Sequence, residues 1–169
     1  MAWAWPLMAR AFVSAGSNID RTEHLRAAID ELNGLYGPLI LSPVYESAPI
    51  GFEGPPFYNL VIAFDTEEDP EPLVHRLHAL ERAHGRPPGH ESWTARTLDL
   101  DLVRLGEIVS ERPVRLPRPE CRCYAFILKP LADIAPHWRD PEAGVTYLDL
   151  WRQFDQASQP LVRVQFPND

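Results

Sequence analysis

The chain has 169 residues, 45% of them hydrophobic and 24% charged, which fits one domain with a real core and excludes both general disorder and two full-sized domains. Sixteen basic against 24 acidic residues give a net charge of −8, which disfavours broad nucleic-acid binding. No apolar run approaches the roughly 20 residues of a spanning helix, and the apolar start, residues 1–9, lacks a basic lead and contains Pro6, so it reads poorly as a secretory signal.

In chain order, Ala11 to Ala15 is an apolar run entering the turn Gly16-Ser17-Asn18, as a strand would. Leu25, Ala28, Ile29, Leu32 and Leu35 then recur at helical spacing over Arg21 to Leu35, with Asp20 as the cap. Leu39 to Tyr45 and Tyr58 to Asp65 are β-like. Asp69-Pro70 starts a second helix whose stripe, Leu73, Val74, Leu77 and Leu80, runs to Gly85. Thr97 to Leu105 alternates as a strand, with Glu107 to Val109 as a short return partner. Helices over about 124–134 and 146–154 and a strand over 161–166 complete the chain. Strand, helix, strand, strand, helix, strand is the ferredoxin-like order, so the expected fold is α+β, an antiparallel sheet with helices packed on its faces.

The 18 prolines, about twice the usual share, cluster between these elements and mark loops, Pro87-Pro88 among them. Cys121 and Cys123 would face opposite ways in an extended chain and lack zinc-ligand spacing, so two free thiols and a cytoplasmic location are expected.

The strongest chemical signal is Arg96-Thr-Leu-Asp-Leu-Asp101. On a strand, alternation aims Asp99 and Asp101 the same way, their backbones roughly 7 Å apart, while Leu98, Leu100 and Leu102 take the other face. Such a pair suits magnesium, which keeps waters and phosphate oxygens as its other ligands; alone, the pattern is as well explained by a hydrated strand face. Arg86 and Arg96 bracket the loop from Pro87 to Ala95 that leads into this strand, and planar guanidinium groups beside metal-binding carboxylates are what phosphoryl-type transfer requires. No Gly-x-x-x-x-Gly-Lys loop is present to hold a nucleotide.

Together these residues resemble the family of 6-hydroxymethyl-7,8-dihydropterin pyrophosphokinases of folate synthesis. The resemblance rests on Gly16-Ser17-Asn18, the run Ser42 to Gly51, Pro56-Phe-Tyr-Asn59, Glu81 to Arg86, Trp93 to Asp101 and Phe126 to Pro136, in family order from about Arg10 to Phe166. It implies a ferredoxin-like α+β fold and transfer of diphosphate from ATP to the pterin hydroxymethyl group, with two magnesium ions and release of AMP. By position it implies Asp99 and Asp101 as metal ligands and Arg86 and Arg96 as catalytic loop arginines. Phe57 and Phe126 would sandwich the ring, Asn59 would give its amide to the ring edge, and Ser47 and Ile50 would add backbone contacts. Glu81, Trp93 and Arg118 would lie on the nucleotide side.

The match departs at Leu116 to Phe126, where Arg118 stands in place of a family histidine and Tyr124 in place of an arginine. The loop from Pro87 to Trp93 also lacks the family's basic residues. Two readings follow: an active pyrophosphokinase, or a divergent paralogue that binds a pterin with weak or absent transfer. Residues 1–9 are expected to be an extension and 10–169 one domain, with the pterin and ATP as partners, no nucleic acid or membrane, and the oligomeric state left open.

Overall fold

A computed structural model describes residues 8–85 and 97–166. It contains β1 (Ala9–Ser17), α1 (Arg21–Tyr36), β2 (Ile40–Leu41), β3 (Val44–Ser47), β4 (Phe57–Thr66), α2 (Pro70–Ala83), β5 (Asp99–Leu105), α3 (Glu120–Cys123), α4 (Ala125–Ile134), α5 (Tyr147–Gln153) and β6 (Val162–Val164). The strands form one antiparallel sheet in the order β5-β1-β4-β3-β6, with β2 also on β4. Counting β2 and β3 as one broken strand, the first four strands stand in the order fourth, first, third, second, as a βαββαβ unit does. The α+β expectation therefore holds.

Each face of the sheet buries its own core. Leu25, Ala28 and Leu32 of α1 and Leu73 and Leu77 of α2 pack on Val13, Leu60, Ile62, Leu100 and Leu102. On the opposite face, Leu128 and Leu131 of α4 and Tyr147 of α5 pack on Phe12, Val61 and Val103. Both helix stripes repeat every three or four residues, as an amphipathic helix on a sheet requires. Among the described residues, no helix is long and apolar enough to cross a membrane.

The local departures from expectation have physical causes. The strand over 39–45 breaks at Ser42-Pro43, because Pro43 has no N–H to give the ladder. Ser42 bridges the gap: its N–H donates to Val61 at 3.0 Å, and the Val61 N–H donates to its hydroxyl at 2.9 Å. Residues 107–109 form no strand. The chain instead turns at Gly106, whose φ of 51° suits glycine, and pairs only at Ser110 and Leu116. The helix expected over about 124–134 is α4, which starts after an extended Tyr124, and the short α3 precedes it without having been expected. Asp20 precedes α1, but from the left-handed region and without a side-chain capping bond.

Register is what matters most for the site. Gly16 of β1 lies between Asn59 of β4 and Asp99 of β5, and Ser14 between Val61 and Asp101. A register shift where Phe12 faces Arg104 and Val13 faces Leu102 makes Val103 a bulge residue. Val103 and Arg104 thus both reach the α4–α5 side, where Arg104 is 1% exposed. Its guanidinium donates to the carbonyls of Gly106 and Arg139 and to the Tyr147 hydroxyl, and it lies 4.8 Å above the Trp138 ring.

Candidate active site

On the α4 side of the sheet, where β1, β4 and β5 meet, a cavity is lined by Ser14, Gly16, Ser47, Ala48, Ile50, Phe52, Phe57, Asn59, Asp99 and Phe126. Six of these, Ser47, Ile50, Phe57, Asn59, Asp99 and Phe126, are residues singled out in the sequence, drawn from four separate segments. The floor follows from the sheet register. Because β1 ends on this face in small residues, Ser14 and Gly16, beyond Phe12, the neighbouring side chains of Asn59 and Asp99 border an open trough. With strands about 4.8 Å apart, Asn59 and Asp99 stand roughly 10 Å from each other across Gly16.

Asn59 is 4% exposed and internally held. Its amide nitrogen donates to the Tyr45 carbonyl at 3.3 Å and to the Ser47 hydroxyl at 2.8 Å. Both N–H groups are thereby used, and the side chain is left with its carbonyl oxygen as the acceptor beside Gly16. A Cβ at position 16 would lie 3.2 Å from that oxygen and 3.7 Å from Phe57.

The loop after β3 is tied down from the turn after β1. Asn18 donates to the Pro55 carbonyl at 3.1 Å, and Arg21 to the Pro56 carbonyl at 2.9 Å. Arg21 also pairs with Glu46 at 3.0 Å and lies 3.7 Å above the Tyr58 ring. On this loop Phe52 meets Phe57 edge to face at 6.2 Å. On the other wall, α4 is braced to β3 by a short hydrogen bond from the Tyr45 hydroxyl to Asp133, which also pairs with Lys129 at 2.7 Å. Burial, then that bond, pushes the Tyr45 hydroxyl well above its ordinary value. Tyr124 stacks on Phe126, with ring centroids 5.4 Å apart.

Asp99 and Asp101 are both half-buried, on the face opposite Leu98, Leu100 and Leu102, as alternation requires. Arg118 stands in their field. Burial opposes its charge, but Asp101, Glu120 and Asp99 outweigh that and hold its proton more firmly than usual. Its side chain is 39% exposed and pairs with Glu120 at 3.3 Å, and its N–H donates to the Val103 carbonyl at 2.8 Å. Glu81 is 4% exposed at the third buried position of α2, after Leu73 and Leu77. There it accepts the Leu100 N–H at 2.9 Å, a bond made between the two aspartates on the outer edge of β5. Arg86, Trp93 and Arg96 lie outside the described residues.

Ser14, Gly16, Ala48 and Phe52 complete the cavity without having been singled out in the sequence as site residues. The signal for the first two was present: small residues alternating with Val13 and Ala15 mark a strand face kept open. Two carboxylates on one strand face, with an arginine nearby and a half-apolar cavity alongside, can hold a flat heterocycle next to a phosphate chain.

Comparison with known proteins agrees with this chemistry. Residues 12–136 match the model of the 7,8-dihydro-6-hydroxymethylpterin-pyrophosphokinase family. The chain is 37% identical over 141 residues to a 2-amino-4-hydroxy-6-hydroxymethyldihydropteridine pyrophosphokinase of Pseudomonas aeruginosa, covering 80% of this chain and 86% of that protein. It is also 37% identical to the enzyme of that name from Porphyromonas gingivalis, over 80% and 97% of the two chains. For the Synechocystis enzyme of the same name the values are 36%, 86% and 76%. The chain therefore belongs to the 7,8-dihydro-6-hydroxymethylpterin-pyrophosphokinase family.

Proposed function

We propose that the cavity binds the ring of 6-hydroxymethyl-7,8-dihydropterin and that the protein moves the terminal diphosphate of ATP onto its hydroxymethyl oxygen. The observation that carries this reading is the cross-strand row Asn59, Gly16, Asp99. A ring bordered by Phe57 and Phe126 and held at one edge by Asn59 would extend over Gly16 and present its hydroxymethyl group beside the aspartates. Aromatic faces give such a ring large contact area with defined geometry. The hydroxyl oxygen attacks the β-phosphorus, the bond from that phosphorus to the α–β bridging oxygen breaks, AMP leaves, and the hydroxyl proton passes to solvent.

Asp99 and Asp101 fit magnesium. They are two hard oxygen donors on one face, and no cluster of three or more ligating side chains exists among the described residues, so water and phosphate oxygens would fill the other positions. Asp99 and Asp101 would hold two magnesium ions, whose charge would offset that of the phosphates. Arg118, already close to both carboxylates, is the described cation best placed to meet the nucleotide, with Arg86, Arg96 and Trp93 assigned to the same side from sequence. Glu81 acts through the backbone, holding the strand that carries both acids. The protein is proposed to work in the cytoplasm as one domain over residues 10–169, with residues 1–9 as an extension.

Incubation with ATP, magnesium and hydroxymethyl-dihydropterin should release one AMP per pterin diphosphate formed. Asp99→Ala should abolish turnover while pterin binding persists. Folded, pterin-binding protein that yields no AMP would overturn the assignment in favour of a pterin-binding paralogue.

A further inference from the structure

The wall that carries Phe126 begins at a chain break. Between α3 and α4 the backbone is extended at Tyr124, with φ −120° and ψ 123°. Such a break leaves a carbonyl at the end of one helix and an N–H at the start of the next without helical partners. Here one side chain from a distant part of the chain serves both groups. Gln159 donates from Nε2 to the Cys123 carbonyl at 2.9 Å, and the Ala125 N–H donates to Gln159 Oε1 at 2.9 Å. The reversed amide would set donor against donor and acceptor against acceptor, so both bonds depend on the one orientation.

Gln159 is placed by its own segment. It follows a 3-10 turn at Gln156–Ser158 and leads into β6, which pairs Val162 to Val164 with Glu46 to Val44 of β3. Ser47, at the cavity, is the next residue of that strand. Ser158 to Leu161 line a second cleft together with Ser47, Ala48, Ile50, Ala125 and Phe126. Four of those residues, Ser47, Ala48, Ile50 and Phe126, also line the first cavity. They form the partition between the two clefts, and Phe126 reaches the core from it only as a partly buried side chain stacked on Tyr124.

We infer that Gln159 is a positioning residue for the pterin site: by gripping the peptide groups on both sides of Tyr124, it sets the Tyr124–Phe126 stack and hence the width of the ring slot. This rests on the reading of the cavity as the pterin pocket. Gln159 also lies beyond the stretch matched by the family model, which ends at residue 136.

The test compares Gln159→Met, which keeps length and bulk but makes neither bond, with Gln156→Ala in the same segment and with Phe126→Ala. Steady-state kinetics would vary pterin and ATP separately, well below each variant's melting temperature. Gln159→Met should raise the pterin KM about tenfold, leaving the ATP KM and kcat within about twofold, and Gln156→Ala should match the parent. A parental pterin KM in folded Gln159→Met, or KM values for both substrates rising together, overturns the inference. If Gln159→Met does not fold, Gln159→Glu keeps the acceptor for Ala125 but sets a charged oxygen against the Cys123 carbonyl. A rise in pterin KM then supports the inference and a parental KM overturns it. Phe126→Ala separates the two levels: if its pterin KM is parental, the pocket assignment itself fails, whereas a large rise there beside a parental Gln159→Met refutes only the role of Gln159.

Discussion

Substituting Gly16 by alanine isolates the trough between the two halves of the site. The new methyl would lie 3.2 Å from Asn59 Oδ1 and 3.7 Å from the Phe57 ring. Asn59 cannot simply swing away, because its nitrogen is fixed by Tyr45 and Ser47. Its acceptor must shift by a few tenths of an ångström, or the ring must ride higher over the trough. Losing one neutral hydrogen bond costs about 0.5–1.5 kcal/mol, and overpacking a fitted site about 1–3 kcal/mol. Together these come to about 1.5–4.5 kcal/mol and weaken pterin binding from about 10-fold to about 1,000-fold at 1.4 kcal/mol per decade. Fold stability should change by about 1 kcal/mol or less, since replacing a strand glycine recovers about 0.5–1 kcal/mol against the new contact. Titration calorimetry with the pterin and thermal unfolding of the same samples separate the effects. Pterin affinity within twofold of the parent in a folded Gly16→Ala protein would refute the placement of the ring over Gly16.

Three further predictions concern the side of the sheet covered by α3, α4 and α5. Arg104→Ala strips donors from the Gly106 and Arg139 carbonyls and the Tyr147 hydroxyl, so urea unfolding should show a loss of about 3–5 kcal/mol, with Arg104→Lys between it and the parent. Burial, helped by Asp140 and Glu120, pushes the Cys121 thiol from 9.0 up to about 12, and burial pushes Tyr147 from 10.0 to about 12. The unfolded chain therefore releases these protons first, and stability should be insensitive to these groups below about pH 9 and fall from there towards pH 12. Urea midpoints against pH test this, with Cys121→Ala showing a shallower fall between pH 9 and 10. At pH 8 a thiol reagent should modify the exposed Cys123 in the native protein and spare Cys121.

Elements whose patterning is local were legible in the sequence. The stripes of α1 and α2 and the alternation that aims Asp99 and Asp101 together each depend on one segment. What stayed hidden depends on partners far along the chain. Tyr124 interrupts a helical pattern because Gln159, 35 residues later, satisfies the broken backbone. Arg104 looks like an ordinary surface arginine until the bulge at Val103 turns it towards Arg139 and Tyr147. Glu81 fell within a recognised motif, yet its spacing from Leu73 and Leu77 already marked it as inward-facing. Its bond to Leu100 required the sheet order. The loop that leads to Phe57 is likewise held from afar, by Asn18 on the Pro55 carbonyl and Arg21 on the Pro56 carbonyl.

The bond from Leu100 to Glu81 is made on β5, which among the described residues is the outermost strand on its side of the sheet. An outer strand with open N–H and C=O groups invites another chain to add to it, and such strands seed aggregation. A buried carboxylate from α2 occupies one of those groups, near the start of the strand, and denies it to a newcomer. The acidic strand thus sits at the rim of the sheet with one fewer open group for another chain to pair with.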